Sequence, residues 1–363
     1  MGKCRCVKTN VYQNLPPFKS EIVMKLSDIG EKGLLERLQK FFPPGVVGDD
    51  GAVLGTQRGQ SLVVTTDMLV DGVHFSDATT SPEDAGWRAA AANLSDLAAM
   101  GASPLGITVG LGLPRDVAIS WVEGVYQGMM DCLSQYHVPI VGGDIVRSPV
   151  KTLGITAFGQ VEPHRVISRN TAKPGYVIVV TGVHGASHVG LELLLHPELE
   201  NNNGKNEGKN LSEEEKAKLI KAHQRPQPRL DILPILSQIF NSSTTSLPIS
   251  GMDSSDGLAD AVIQICQASG VGAIIESDKI PIPTSAYKWR SPQQLLDYAL
   301  YGGEDFELVL AMPTDSAHRL VEKLGQNSAI IGRITAEKTV LLRNKIQNNQ
   351  DLVLTLNRGF QHF

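Results

Sequence analysis

The chain has 363 residues, of which 42% are hydrophobic and 20% are charged, and its formal net charge is −5. This length suits two domains with full hydrophobic cores, and the composition is that of a globular protein rather than a disordered or fibrous one. A mildly acidic chain lacks the basic stripe that nucleic-acid binding usually needs, so we expect no nucleic-acid partner.

The cysteines and the apolar segments bear on the compartment. The 4 cysteines match neither a zinc-site spacing nor a disulfide framework. The first residues contain no apolar segment of signal-peptide length, and no run reaches the roughly 18 apolar residues of a membrane span. We therefore expect a cytoplasmic protein without membrane association. A more conventional segment begins at Met24, so residues 1–23 are predicted to be an N-terminal extension.

The N-terminal half predicts helices and strands in mixed order. Apolar residues recur at helical spacing from Leu26 to Phe42, and Pro43 and Pro44 end that helix. Strands are then predicted in SLVVTTDML, LGITVGLGLP, Val138–Val141 and Thr152–Val161, and helices in Asp84–Met100 and Ser120–Tyr136.

The chain changes character between Glu162 and Lys173, and the mixed order then continues. Strands are predicted in Tyr176–Thr181, GAIIESDKIPIP, FELVLAMP and Ser328–Val340, and helices in Gly185–Leu195, in HQRPQPRLDILPIL and after SGMDSSDG. Pairs of neighbouring strands favour α/β sandwich domains over a doubly wound sheet. We expect domains at residues 24–165 and 166–363, with a polar, Asn- and Gly-rich surface insertion near 197–216.

Acidic residues beside glycines are the outstanding feature of the sequence. They are Asp49 and Asp50 in GDDGA, Asp67 and Asp71 in TTDMLVDGVHF, Asp96 in NLSDLAAMG, Asp144 in GGDIV, Asp253 and Asp256 in MDSSDGL, and Glu304, Asp305 and Glu307 in GGEDFE. An Asp at the end of a strand is usually a turn former, and Ser255 or Asp256 could simply cap the following helix. Asp96 is different, because a carboxylate on an apolar helix needs a cation or hydrogen bonds.

Converging acidic loops would suit magnesium, which binds through a few carboxylates together with substrate phosphates. Such ions neutralise a triphosphate during phosphoryl transfer. The sequence contains no P-loop motif, no dinucleotide-binding G-x-G-x-x-G after a strand and no protein-kinase signature set. We therefore predict that polyphosphate is held through metal ions, backbone amides and arginines, with Arg147, Arg165 and Arg169 as candidates.

Nine motifs, in order, resemble the thiamine-monophosphate kinase family. They are GDDGAVL, TTDMLVDGVHF, NLSDLAAMGASP, GGDIVRSP, RNTAKPGYVIVVTG, HQRPQPR, SSDGL, GGEDFEL and GFQHF. The resemblance implies an α/β (α+β) chain with the two-domain aminoimidazole ribonucleotide synthetase-like fold, in which an N-terminal mixed-sheet domain forms a barrel across a homodimer and a C-terminal α/β sandwich covers it. The implied reaction is in-line transfer from ATP to thiamine phosphate, with no covalent or general-base residue.

The resemblance also implies roles for individual residues. Several magnesium ions would be held by Asp50, Thr65, Thr66, Asp67, Asp96, Asp144, Asp253 and Asp256, and a potassium requirement is left open. ATP would be contacted by Tyr126, Gly143, Asp144, Arg169 and Ser255. Thiamine phosphate would be contacted by His74, Glu304 and Phe360. A carboxylate and an aromatic face suit the cationic thiazolium ring.

Two alternatives stay open on the sequence. One is another enzyme of the same superfamily, such as a synthetase that uses ATP to activate an amide or selenide. Selenophosphate synthetase would carry a reactive cysteine or selenocysteine near its N-terminus, but Cys4 and Cys6 lack the glycine-rich loop and lysine expected with it. The other is a non-catalytic nucleotide- or metal-binding scaffold, which would predict the loss of some acidic motifs, whereas all six are present.

Overall fold

The computed structural model describes residues 24–43, 54–197, 211–240, 246–343 and 351–358. Two β-sheets organise this part of the chain, one of four strands and one of seven. Helices pack on both sheets, so the predicted two-domain α/β class is confirmed. None of the helices within these ranges is long and apolar enough to cross a membrane.

The N-terminal domain contains the four-stranded sheet. Its elements are α1 (Leu26–Leu38), β1 (Ser61–Val70), α2 (Pro82–Ala99), β2 (Ser103–Leu113), α3 (Ile119–Leu133), β3 (Ile140–Arg147) and β4 (Thr152–Val161). The strand order is β1-β4-β2-β3; β2 and β3 are parallel and the other neighbours are antiparallel.

The C-terminal domain contains the seven-stranded sheet. Its elements are β5 (Val177–Val180), α4 (Ala186–Leu195), α5 (Glu213–Gln224), α6 (Ile232–Ile239), β6 (Ser250–Asp253), α7 (Leu258–Ser269), β7 (Gly272–Glu276), α8 (Pro292–Tyr301), β8 (Leu308–Met312), α9 (Thr314–Leu324), β9 (Ala329–Thr335), β10 (Val340–Arg343) and β11 (Asp351–Val353). The order is β11-β10-β7-β9-β5-β8-β6, and among these pairs only β7 with β10 is parallel.

Two predicted strands differ from the structure near their acidic residues. The GGD motif was expected after a strand ending at Val141, but β3 runs on to Arg147, so Asp144 lies inside the strand. Asp67 likewise lies three residues before the end of β1.

Gly143 lets β3 approach β2 closely, because a Cβ there would overlap the Val109 carbonyl.

The predicted extension, residues 1–23, lies wholly outside the described residues. Most of the predicted insertion near 197–216 also lies outside them. The last part of the insertion is helical, because Ser212 and Glu215 form a capping box at the start of α5. The Ser212 hydroxyl accepts from the Glu215 amide at 3.2 Å, and the Glu215 carboxylate accepts from the Ser212 amide at 2.9 Å. The surrounding low-complexity composition concealed this local signal.

Helix α2 lies at the centre of the molecule. It packs on β1 and β4 of its own domain and on β6 and α5 of the other domain. The Trp87 indole donates to the Pro226 carbonyl at 2.7 Å across the domain boundary. One hydrophobic core runs through both domains, since Leu94 and Ile107 belong to the same buried cluster as Ile249. The side chains of α2 can therefore reach both domains at once.

Glycines set the close approach of α2 and α3. A Cβ at Gly128 of α3 would overlap the Glu83 carbonyl of α2, and a Cβ at Gly86 would overlap the Val125 carbonyl.

We expect Gly128→Ala to lower the free energy of unfolding by roughly 1–3 kcal/mol, because the helices must separate. Urea unfolding measures this. Ser120→Ala on the exposed side of α3 is the control, and an unchanged midpoint for Gly128→Ala would contradict the close-packing argument.

Candidate active site

Helix α2 brings carboxylates of both domains together. The Thr65 hydroxyl on β1 donates to the carboxylate of Asp96. One residue earlier, the Ser95 hydroxyl donates to Asp253 at the end of β6, at 2.7 Å. Ser255 donates to the other oxygen of Asp253 at 3.0 Å. A hydroxyl from β1 thus holds Asp96, and hydroxyls from α2 and from the turn after β6 hold Asp253.

Asp67, Asp96, Asp253 and Asp256 form what we call the carboxylate cluster. Burial, followed by repulsion from Asp253 and Asp256, raises the pKa of Asp67 to about 6. Burial and repulsion by Asp67 raise the pKa of Asp96, while the Thr65 hydrogen bond and Arg169 act against that rise. Burial and Asp96 raise the pKa of Asp253 in the same way. The cluster therefore carries repulsion that a bound cation would relieve.

The cluster suits a cation that shares its coordination with a substrate. Within the described ranges, no three Asp, Glu, His or Cys side chains are arranged to hold one ion by themselves. Magnesium typically takes one or two carboxylates, several waters and phosphate oxygens. The donors of the cluster are all carboxylate oxygens, with Asp253 buried and Asp256 exposed, and such a set fits that chemistry. Asp50, the predicted carboxylate ligand from GDDGA, lies outside the described residues.

Arg169 lies at the exposed rim of the cluster. Its attraction for Asp96 and Asp260 opposes the rise in their pKa values, which places its positive charge near both carboxylates. Its Nη1 donates to Gln264 on α7 at 2.6 Å. An exposed guanidinium beside acidic residues can bind a phosphate that arrives with a cation. Arg169 therefore lies near the carboxylate cluster, and its contact with ATP stays a prediction.

Three predicted residues lie away from the cluster. Thr66 points to the opposite face of β1 from Thr65 and Asp67, and its hydroxyl is 2.7 Å from that of Thr156. Asp144 is exposed on β3, three strands from β1, and Gly143 lies beside it. The alternation of side chains along a strand sends Thr65 and Thr66 to opposite faces.

Tyr126, a predicted ATP contact, is a core residue. It is only 2% exposed, and its ring packs against Phe41 and Phe42 with centroid separations of 5.4 and 6.0 Å. Burial raises the pKa of its hydroxyl well above the ordinary value. The structure does not bring Tyr126 to the carboxylate cluster, because its place on α3 faces α1 and the following turn.

The predicted substrate contacts His74 and Glu304 meet at a second point, through Arg88 of α2. Arg88 pairs with the Glu304 carboxylate and donates to the His74 carbonyl at 3.2 Å. It also donates to the carbonyl of His223 on α5 at 2.6 Å. The sequence analysis missed Arg88, although a cation inside the Ala-rich α2 carries the same signal that identified Asp96. Phe360 lies outside the described residues.

The three acids of GGEDFE have separate roles. Asp305 accepts from the amides of Gly185 and Ser187 at 2.6 and 2.9 Å and so holds the start of α4. Glu307 pairs with Arg229 and accepts from Thr181. The Glu304 side chain is 33% exposed, against 16% for that of Glu307. Burial raises the pKa of Asp305 to about 7, which reflects its enclosure rather than a catalytic role.

Comparison with known proteins identifies relatives along most of the chain. The family model for the N-terminal domain of AIR synthase related proteins matches residues 48–161, and the model for the C-terminal domain matches residues 173–343. A thiamine-monophosphate kinase of Synechococcus elongatus is 51% identical over 338 residues, which cover 93% of this chain and 98% of the relative.

Two solved structures share the architecture. The crystal structure of thiamine-monophosphate kinase from Stenotrophomonas maltophilia superposes with a TM-score of 0.72 at 31% identity, covering 86% of this chain and 96% of that one. The structure of AaThiL complexed with AMPPCP and TMP superposes with a TM-score of 0.66 at 30% identity, covering 92% of this chain and 100% of that one.

The repulsion in the carboxylate cluster predicts an unusual effect on stability. In metal-free protein, an Asp whose folded pKa is raised binds its proton more tightly when folded, so stability falls as pH rises from about 4 through about 6. Asp96→Asn removes one repelling charge. We expect its metal-free melting temperature to exceed that of the wild type by roughly 2 °C at pH 7.5, and the difference to vanish only at about pH 4 and below, where the Asp96 carboxyl is protonated in the folded protein. Thermal scans in a chelator measure this.

Asp84 on the same helix provides the matched control. Its carboxylate pairs with Arg225 at 2.6 Å, so Asp84→Asn should lower the melting temperature at pH 7.5. If both substitutions destabilise the metal-free protein equally, the argument from repulsion is wrong.

Proposed function

This chain belongs to the thiamine-monophosphate kinase family, and we propose that it performs the family reaction at the carboxylate cluster between its two domains. It transfers the γ-phosphoryl group of ATP to thiamine phosphate, giving thiamine diphosphate and ADP. One observation supports the location best: Ser95 and Asp96 of α2 meet Asp253, which follows them by more than 150 residues. A synthetase of the same superfamily is not favoured, because the relatives at 51% and 36% identity are thiamine-monophosphate kinases.

We propose that magnesium is held by Asp67, Asp96, Asp253 and Asp256, with Asp50 joining them. The ions, when bound, neutralise polyphosphate charge and stabilise the charge that develops during transfer. The chain itself contributes orientation, because hydroxyls hold Asp96 and Asp253 in place. Arg169 would bind a phosphate oxygen at the rim.

The acceptor is proposed to lie beside His74 and Glu304. Its nucleophile is a phosphate oxygen that is already ionised near neutral pH, so transfer needs no strong general base. Catalysis then rests on positioning and on neutralising charge. The exposed part of the Glu304 carboxylate suits the cationic thiazolium ring, and the AaThiL complex with AMPPCP, an ATP analogue, and TMP supports binding of both substrates by one chain.

We further propose that residues 24–165 form the nucleotide and dimerisation domain and that residues 166–363 cover it, as the two family-model matches suggest. One face of the four-stranded sheet supports a dimer. Leu62, Val64 and Met68 on β1 are 53%, 52% and 58% exposed, and such a row of apolar side chains usually marks a protein interface. Thr66 and Asp144 share this face, so a nucleotide contact by either would depend on the second subunit.

We also propose that the reaction takes place in the cytoplasm. ATP is available there, and a reducing compartment suits the free, buried thiols of Cys132 and Cys266.

Activity tests the assignment directly. We expect purified protein with ATP and magnesium to convert thiamine phosphate to thiamine diphosphate. Chromatography measures the product, and reactions with and without potassium show whether potassium is required. Asp96→Asn should lower kcat at least about 100-fold, because a metal-held charge is lost, while the fold is retained by circular dichroism. Absence of product at saturating ATP would disprove the function, and near-normal turnover by Asp96→Asn would disprove the location.

The oligomer is tested separately. Met68→Glu places a charge in the exposed apolar face and should convert dimers to monomers in analytical ultracentrifugation. Glu36→Gln, on exposed α1, is the control and should leave the dimer intact. A wild-type protein that sediments as a monomer would overturn the proposed interface.

A further inference from the structure

We infer that Arg88 is a positioning residue, which holds the Glu304 carboxylate where it recognises the cationic end of thiamine phosphate. This inference rests on the proposed function, because it concerns the acceptor side of that site. Arg88 itself is 2% exposed, so it acts through the groups that it binds rather than by touching the acceptor.

The contacts of Arg88 join three separate segments. One terminal nitrogen donates to the carbonyl of His223 at the end of α5. The other donates to the His74 carbonyl after β1 and pairs with Glu304 before β8. The planar guanidinium fork makes these bonds from two separate nitrogens, whereas an ammonium group would have to reach all three acceptors from one. Arg88 therefore sets the relative position of both predicted acceptor contacts.

Glu304 is the outward member of this pair. Its side chain is 33% exposed, against 3% for Arg88. The second Glu304 oxygen lies 3.6 Å from Nδ1 of His223, whose pKa is lowered to about 3 by burial and by Arg88. The His223 ring is thus neutral and adds no second positive charge. The pair presents its negative end to the open side, which is the polarity that a thiazolium ring requires.

The backbone at Glu304 adopts an uncommon conformation, which contacts from other segments stabilise. Glu304 has a φ of 58° and Gly303 a φ of 66°, both in the left-handed region that residues with a Cβ seldom adopt. The Glu304 amide donates to the Ser255 carbonyl at 2.7 Å, so this turn packs directly on the turn that follows Asp253. The acceptor turn is therefore attached to the carboxylate cluster by backbone and to α2 by Arg88.

Helix α2 spaces the two halves of the site. Arg88 and Asp96 are eight residues apart on one helix, which corresponds to about 12 Å of rise. Ser95 binds Asp253 at one end of this interval and Arg88 binds Glu304 at the other. Because phosphoryl transfer requires the donor and acceptor at a set separation, a rigid helix that holds both turns provides that separation.

Kinetics of Arg88→Gln and Arg88→Lys test the inference. We expect Arg88→Gln to raise the KM for thiamine phosphate about tenfold or more, as the loss of a charge-assisted contact would, while the KM for ATP stays within about twofold. Arg88→Lys keeps the charge but not the fork, so it should recover part of the loss. If the KM for ATP rises as much as that for thiamine phosphate, Arg88 is merely structural and the inference fails.

Thiamine, which has the same ring without a phosphate, locates the effect. As an inhibitor competing with thiamine phosphate, it should lose affinity by the same factor in Arg88→Gln. A loss for thiamine phosphate but not for thiamine would place the effect at the phosphate end and overturn the assignment to Glu304 and the ring.

A double substitution separates positioning from folding. If Arg88 acts through Glu304, then Arg88→Gln combined with Glu304→Gln should raise the KM no more than Glu304→Gln alone, whereas additive effects would refute the coupling. Should Arg88→Gln fail to fold, the same cycle is run with Arg88→Lys.

Arg225→Gln is the control variant. It breaks the ion pair between Arg225 and Asp84 of α2 and should leave the KM for thiamine phosphate unchanged. Wild-type protein without kinase activity would reject the proposed function itself; active wild type with unaffected Arg88 variants would reject this inference alone.

Discussion

The burial of helix α2 between the two domains is the constraint on which the site depends. A polar group on a buried helix must find partners in the elements that enclose it. Three such groups on α2 are Arg88, Ser95 and Asp96, and their partners come from β1, from the turn after it, from α5 and from turns of the C-terminal domain. Several of the contacts that join the domains are thus also contacts of the candidate site, so a substitution there would affect domain packing as well.

The two ends of this arrangement differ in how completely their charge is compensated. At the Arg88 end, a carboxylate and two carbonyl oxygens neutralise and hydrogen-bond the buried guanidinium. At the Asp96 end, acidic groups face one another, with hydroxyls and the rim charge of Arg169 as partial compensation. On the function proposed above, the first end would be preorganised for a cationic ring, and the second would be stabilised by a bound cation.

Local sequence patterns predicted correctly that polar residues on the apolar helix α2 have polar partners. A lone carboxylate on an Ala-rich helix predicted that Asp96 has polar partners, and the same reasoning applied to Arg88 predicts partners for its guanidinium. Such patterns did not show where neighbouring residues of one motif diverge in space. Thr65 and Thr66 are adjacent, but alternation along β1 sends one toward Asp96 and the other to the opposite face of the sheet. The resemblance that suggested Tyr126 as an ATP contact likewise did not show that its side chain is buried in the core.

The sequence alone determined the order of helices and strands, the acidic, glycine-flanked chemistry without a P-loop, and, through its ordered motifs, the family. These are properties of short segments, which local periodicity and composition encode. Only the tertiary structure decided which acids converge and which merely hold the fold, because partners such as Ser95 with Asp253 and Arg88 with Glu304 lie 158 and 216 residues apart. No local spacing specifies such pairs; the packing of both sheets on α2 does.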